Sequence, residues 1–357
     1  MTPAERVRRI WRGSLLGAAA GGLVLGTVTL AATQARAGAA SVGGVIAYDR
    51  PGQLVAVAPG RKLNFRCIGH RQPTVILESG FGANAAAWSK VQPLAAARYR
   101  VCAYDRAGYG FSDPGPLPRD GAAIARDLDR GLHRAGVRGP LVLVGHSAGG
   151  LYVRLLAARR RKDVVGLVLV DPSVEHQDRR FAAILGQGAG SVEGIRQRVT
   201  GCALAMEARP GVEAAREACT PRTASAHDRA VALDPRTWRS QASEIETLFG
   251  ATSDQVDRVG SLLENLPVLV LTASPNGLPA GPDDPGGQIW QRFHQALAAS
   301  FRQGQQRLVK SSHLIMVDRP DAVIAAIDDV ATAARSRLAS STERTDIRAM
   351  PQGAILK

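Results

Sequence analysis

Short apolar runs recur along the chain with amphipathic stretches between them. Leu54–Val57 and Leu63–Ile68 flank Pro59-Gly60 and read as a hairpin. Pro73–Glu78, Tyr99–Tyr104, Leu141–Val144, Val164–Val170, Val268–Leu271 and Gln306–Lys310 read as further strands, several of them apolar throughout and therefore buried on both faces. The intervening spacing is helical. An Asn84 cap predicts a helix to Ala97, and an Asp120 cap predicts one to Ala135. Further helices are predicted over Ser147–Ala158, Trp290–Ser300 and Ala322–Leu338. Strands alternating with helices imply crossover units and a mostly parallel α/β sheet flanked by helices.

One segment breaks this rhythm. Residues 173–265 carry helical spacing, many charges and no convincing strand, so they read as a helical cap between two halves of one core, 53–172 and 266–338. Residues 38–52, with Gly43-Gly44 and Pro51-Gly52, read as a linker, and the aperiodic residues 339–357 as a disordered tail.

The N-terminus does not fit the core pattern. Arg6, Arg8, Arg9 and Arg12 precede an uncharged Ala/Leu/Val/Gly stretch from Gly13 to Gln34, and Ala35-Arg36-Ala37 then resembles a cleavage site. Residues 1–37 are therefore expected to be a signal peptide or an N-terminal membrane anchor, giving membrane association in the second case. Either way the rest of the chain lies outside the cytoplasm. Four cysteines, Cys67, Cys102, Cys202 and Cys219, suit disulfides in such a compartment.

Composition adds little beyond this. With 357 residues, 45% apolar and 21% charged, the chain can bury a sizeable core. The net charge of +14 raises nucleic acid as a partner. Yet arginine is spread along the chain, and the dense run Arg159–Lys162 ends a predicted helix, where cations complement the dipole. No nucleic-acid partner is expected.

The chemistry sits at Gly145-His146-Ser147-Ala148-Gly149, a G-x-S-x-G sequence following Leu-Val-Leu-Val and preceding an apolar helix. A strand that turns sharply into a helix holds the apical serine in a strained backbone, and flanking glycines remove the Cβ atoms that would clash. The serine hydroxyl then stands at the sheet edge, beside N–H groups at a helix start that favour an oxyanion.

With these residues the chain resembles the α/β-hydrolase fold family, specifically a serine esterase-like, exported or membrane-anchored branch, over about residues 53–338. Leu77–Gly82 is similar to the family's oxyanion loop, so the resemblance implies that the N–H groups of Phe81 and Ala148 form the oxyanion hole. Asp105–Ser112 resembles the D-x-x-G-x-G-x-S loop, in which Asp105 and Arg106 tie loops together. His313, after the last strand, occupies the position of the family's catalytic base; His146 is expected to point away from the site, and the other histidines to be solvated on loops or helix faces. The usual place of the acid, after the seventh strand, aligns with Asn276, which carries no charge. The resemblance then implies Asp171, at the end of the sixth strand, as the acid, with Asp283 and Asp284, or an incomplete triad without an acid, as alternatives. The family's strand order would also place Cys67 beside Cys102.

A serine rather than an aspartate at the elbow argues for an acyl-enzyme route and against the nucleophile of epoxide hydrolases and haloalkane dehalogenases. The expected activity is carboxylic ester hydrolysis on a small hydrophobic substrate, with an acyltransferase or a non-catalytic ligand-binding protein as alternatives. No metal or cofactor is implied: no Cys/His cluster has zinc spacing, and the elbow lacks the Gly-Lys-Ser/Thr ending of a phosphate loop. In the cap, Leu204, Met206, Leu233, Trp238, Leu248 and Phe249 suit either an acyl pocket or the cap's own core.

Overall fold

The apolar runs pair into one eight-stranded sheet in the order β1-β2-β4-β3-β5-β6-β7-β8. The computed structural model describes residues 47–349 apart from 187–191, 209–212, 221–225, 278–279 and 282. The expected segment 1–37 and most of the linker lie outside the described residues.

The strands are β1 (Gln53–Ala58), β2 (Arg61–Ile68), β3 (Thr74–Glu78), β4 (Arg100–Tyr104), β5 (Leu141–His146), β6 (Val164–Val170), β7 (Pro267–Ser274) and β8 (Gln303–Lys310). β1 and β2 form the hairpin, β2 pairs antiparallel with β4, and the remaining neighbours are parallel. β5 and β6 are buried at every position, because helices cover both faces of the sheet. Alternation then divides each strand between two cores. Leu141, Leu143, Leu167, Leu169, Val268 and Val270 join one cluster, and Val142, Val144, Val168, Val170, Leu269 and Leu271 join the other.

Helices α1 (Gln92–Ala96), α11 (Ile315–Asp318) and α12 (Pro320–Ala349) contribute to the second cluster; α2 (Gly121–Arg134), α3 (Gly149–Arg159) and α10 (Pro285–Ala299) contribute to the first. The expected helix from Asn84 to Ala97 is in fact two pieces. Asn84 caps a single 3₁₀ turn, Ala85–Trp88, and α1 starts afresh with Pro93 in its first turn, where the missing N–H is harmless. The last helix also differs: residues 339–349 continue α12, where an unstructured tail was expected, and 350–357 lie outside the described residues.

Between β6 and β7 the described chain is helical: α4 (Gln177–Leu185), α5 (Glu193–Glu207), α6 (Glu213–Cys219), α7 (Ala226–Leu233), α8 (Pro235–Thr247) and α9 (Ser253–Asp257), with one wider π turn at Leu248–Thr252. Met206 and Trp238 share a small cap core with Val199, Ala203, Cys202 and Cys219, whereas Leu248 and Phe249 join the main core and Leu233 is exposed. Two disulfides staple the fold. Cys67–Cys102 joins β2 to β4 at directly paired positions, and Cys202–Cys219 joins α5 to α6. Among the described residues no helix is long and apolar enough to cross a membrane.

Candidate active site

The chain runs outward from β3 to β4 on one side of the sheet and from β5 onward to the other. β3 and β5 are therefore neighbours at the point where strand order reverses, and the crevice beyond their carboxyl ends is where open α/β sheets bind ligands. Four loops meet there: Ser79–Gly82 after β3, Ser147 after β5, Asp171 after β6 and His313 after β8.

Ser147 occupies the left-handed region at φ 51°, in the turn between β5 and α3. A β-carbon pays for that region with a steric clash of about 1–2 kcal/mol, so the surrounding contacts must hold the turn. Its N–H donates to the Val170 carbonyl at 3.1 Å, and its own carbonyl accepts from Ser173 at 2.9 Å and Gly150 at 2.9 Å. The glycines are steric necessities. A Cβ on Gly145 would lie 2.5 Å from the Gly149 carbonyl oxygen, and one on Gly149 would lie 2.7 Å from that of Glu78.

Asp171 and His313 meet 142 positions apart in sequence, with Asp171 Oδ2 2.6 Å from His313 Nδ1. Asp171 also sits in the left-handed region, at φ 42°, and its carboxylate is buried while His313 is half exposed. The second oxygen, Oδ1, accepts from the Ala273 N–H at 2.8 Å and from the Trp290 indole at 2.9 Å. Burial pushes the Asp171 carboxyl up, but the His313 hydrogen bond, the nearby His294 and His313 rings and the Ala273 N–H outweigh it. The carboxyl therefore sits below the usual range and is ionised at neutral pH.

His294 is fully buried rather than solvated. Its Nδ1 meets Thr272 Oγ1 at 2.8 Å, its Nε2 meets the Pro172 carbonyl at 2.8 Å, and burial holds its pKa below the ordinary value. His146 also departs from expectation. Its ring lies under His313, with centroids 4.6 Å apart, instead of pointing away. Burial first, then the neighbouring His313, lowers it to about 4, so it is neutral and its Nε2 donates to the His313 carbonyl at 3.0 Å. The residue beside the serine thus props the loop that carries His313.

The Phe81 N–H follows Gly80, which borders Ser147, and the Ala148 N–H follows the serine itself; among the described residues neither donates to another protein group. Gly80 places the first of them: a Cβ there would lie 3.1 Å from the Ser147 Cβ. Asp283 and Asp284 are exposed, and Asp284 caps α10 through the Gly287 N–H at 2.8 Å. Among the described residues the carboxylate that meets His313 Nδ1 is that of Asp171. Asn276 lies exposed in the turn after β7 and accepts from Ser274 Oγ at 2.9 Å.

Trp290, His294 and Ala273 had no sequence signal as parts of a site. They come from α10 and β7 and reach Asp171 only through the fold.

Comparison with known proteins agrees with this architecture. Residues 75–326 match the family described as the alpha/beta hydrolase family. An AB hydrolase superfamily protein of Gibberella zeae is 35% identical over 114 residues, which is 30% of this chain and 35% of that protein. The chain spans less than half the length of the curated relatives it matches, 16% to 40% for three of them. An enol-lactonase from Burkholderia xenovorans superposes with a TM-score of 0.56 at 21% identity, covering 78% of this chain and 99% of that one. A thermophilic esterase from Thermogutta terrifontis superposes at 0.54 with 22% identity, covering 80% and 99%. These structural likenesses speak for the fold, and with the match over residues 75–326 the chain belongs to the alpha/beta hydrolase family.

Proposed function

We propose that this protein is a serine hydrolase that cleaves a carboxylic ester through an acyl-enzyme. The observation that carries this is the convergence at one sheet edge of a serine at φ 51° and a histidine held at 2.6 Å by a buried, ionised carboxylate. A serine hydroxyl is a weak nucleophile at neutral pH and needs a base. With Asp171 on Nδ1, the neutral His313 keeps its proton on that nitrogen, which leaves Nε2 free to accept one.

In this reading His313 takes the Ser147 proton as Oγ attacks the acyl carbon. The carbonyl oxygen becomes an oxyanion, accepted by the N–H groups of Phe81 and Ala148. His313, now a cation stabilised by Asp171, gives its proton to the leaving alcohol as the tetrahedral species collapses. Water, deprotonated by His313, then attacks the acyl-serine, and a second collapse returns the serine and a carboxylic acid.

The acyl side is expected to be apolar, because Phe81 packs against the cap core that contains Met206 and Trp238. The two disulfides support an extracytoplasmic location for the domain. Hydrolysis of p-nitrophenyl esters of increasing chain length tests the proposal. Turnover that is lost in Ser147→Ala supports it, and no turnover at any chain length contradicts it. An alcohol acceptor that outcompetes water would instead make the protein an acyltransferase.

A further inference from the structure

A buried ionic cluster lies directly beneath the loop that carries Phe81. Arg106, from the loop after β4, is 2% exposed. Its Nη1 donates to the Ser79 carbonyl at 2.6 Å and to Glu78 Oε1 at 2.8 Å, and its Nη2 donates to the Gly80 carbonyl at 2.8 Å. The same Nη2 lies 3.1 Å from Glu244 Oε1, and Glu244 belongs to α8 of the cap. The guanidinium sits 4.6 Å from the Tyr109 ring centre and 5.5 Å from that of Tyr152. Both tyrosine hydroxyls in turn donate to Glu244, at 2.9 and 3.0 Å.

The Gly80 carbonyl and the Phe81 N–H belong to one peptide plane. In a trans peptide they point in opposite directions, so a group that pins the carbonyl on one side aims the N–H to the other. Arg106 pins it from below, and Gly80 itself borders Ser147. A charged donor on the carbonyl also polarises the amide and strengthens its N–H as a donor. A buried guanidinium must keep a counter-charge, and the cap delivers one of its two carboxylates.

We propose that Arg106 is a positioning residue for the oxyanion site, fixing the Gly80–Phe81 peptide, and that the cap holds Arg106 in place through Glu244. This rests on the reading of Ser147 as an acyl-transfer nucleophile, and it makes a correctly seated cap a condition for oxyanion stabilisation.

The test is Arg106→Lys, which keeps the charge but loses the fork that spans two carbonyls. Active sites are counted by end-point titration with a fluorophosphonate, so a merely structural loss lowers the count and not the rate per site. Per titrated site, kcat for a p-nitrophenyl ester should fall about 100-fold, the scale of losing one oxyanion donor, with KM changed by less than about threefold. Affinity for a trifluoromethyl ketone, whose hemiketal oxyanion uses the same N–H groups, should fall in parallel. A variant with kcat per site and ketone affinity both within about threefold of the parent overturns the proposal.

Should Arg106→Lys fail to fold, Glu244→Gln provides the same comparison, keeping the acceptor oxygen while removing the charge. Its expected loss is about tenfold in kcat per site and in ketone affinity alike. A change in KM alone, or no change, overturns the proposal. Parent enzyme with no titratable Ser147 would instead defeat the acyl-transfer reading, and this inference with it.

Discussion

Replacing Asp171 with asparagine changes one atom type at the centre of the site, and the structure dictates how the new side chain turns. Oδ1 accepts from two fixed donors, the Ala273 N–H at 2.8 Å and the Trp290 indole at 2.9 Å. An asparagine must give its single oxygen to that pair. Its NH₂ then faces His313 Nδ1, where Asp171 Oδ2 stood at 2.6 Å. Two donors cannot share that contact, so His313 moves its proton to Nε2 and becomes unable to accept one from Ser147. The same exchange in a serine-protease triad costs about 10⁴ in kcat, and a loss of that order is expected here. It corresponds to about 5.4 kcal/mol of transition-state stabilisation. The fold should survive, since volume and the two Oδ1 contacts are kept. The assay is kcat and KM on a p-nitrophenyl ester per titrated active site, with thermal unfolding alongside. KM should change little, because the Asp171 carboxylate is buried behind His313. Asp284→Asn, which alters only the cap of α10, should leave kcat unchanged. Parent-level turnover in Asp171→Asn, or a loss confined to Asp284→Asn, would refute the assignment.

Three further outcomes follow from named contacts. Trp290→Phe removes one hydrogen bond to a charged oxygen, worth about 1.5–3 kcal/mol, and should lower kcat at least tenfold with little change in KM in the same ester assay. Burial pushes the Glu78 carboxyl up to about 7, against the opposing pull of Arg106 and the Tyr104 hydrogen bond, with Glu244 adding to the rise. A raised carboxyl favours the fold while protonated, so this contribution to stability is full below the ordinary carboxylate range and is lost as pH rises to about 7. Urea unfolding should show that decline between about pH 5 and about pH 8, and Glu78→Gln should flatten it. Opening the Cys202–Cys219 bridge by a Cys→Ser double substitution frees a 17-residue separation in the cap and should cost about 3 kcal/mol by urea unfolding. An unchanged midpoint would mean that the bridge does not constrain the unfolded chain.

The parts of the site that sit at strand ends within a known motif order were legible, and the side chains that reach them from helices and neighbouring loops were not. The elbow carries its own context, a strand before Ser147 and a helix after it. His313 was assigned by its place after the last strand. Asp171 stayed ambiguous against Asp283 and Asp284 because an acid can reach the same histidine from either of two strand ends. Spacing does not say which end is in reach; the Asp171–His313 contact does. Trp290 reaches Asp171 across 119 positions, and Glu244 reaches Tyr109 across 135. Each lies on an amphipathic helix where burial alone would explain it. His146 escapes a sequence reading for a related reason: the elbow spacing predicts the turn, but not the His313 carbonyl that the ring meets. In the fold, short apolar runs and turn residues located all eight strands, whereas Pro93 broke the helix expected after Asn84.

Covalent labelling tests most directly whether Ser147 is the nucleophile. The parent protein is incubated with a fluorophosphonate, digested and mapped by mass spectrometry, beside Ser147→Ala. A nucleophilic Ser147 gives one adduct per chain, on the peptide containing Ser147, and none in the variant. An unlabelled parent, or equal labelling of the variant, would contradict it.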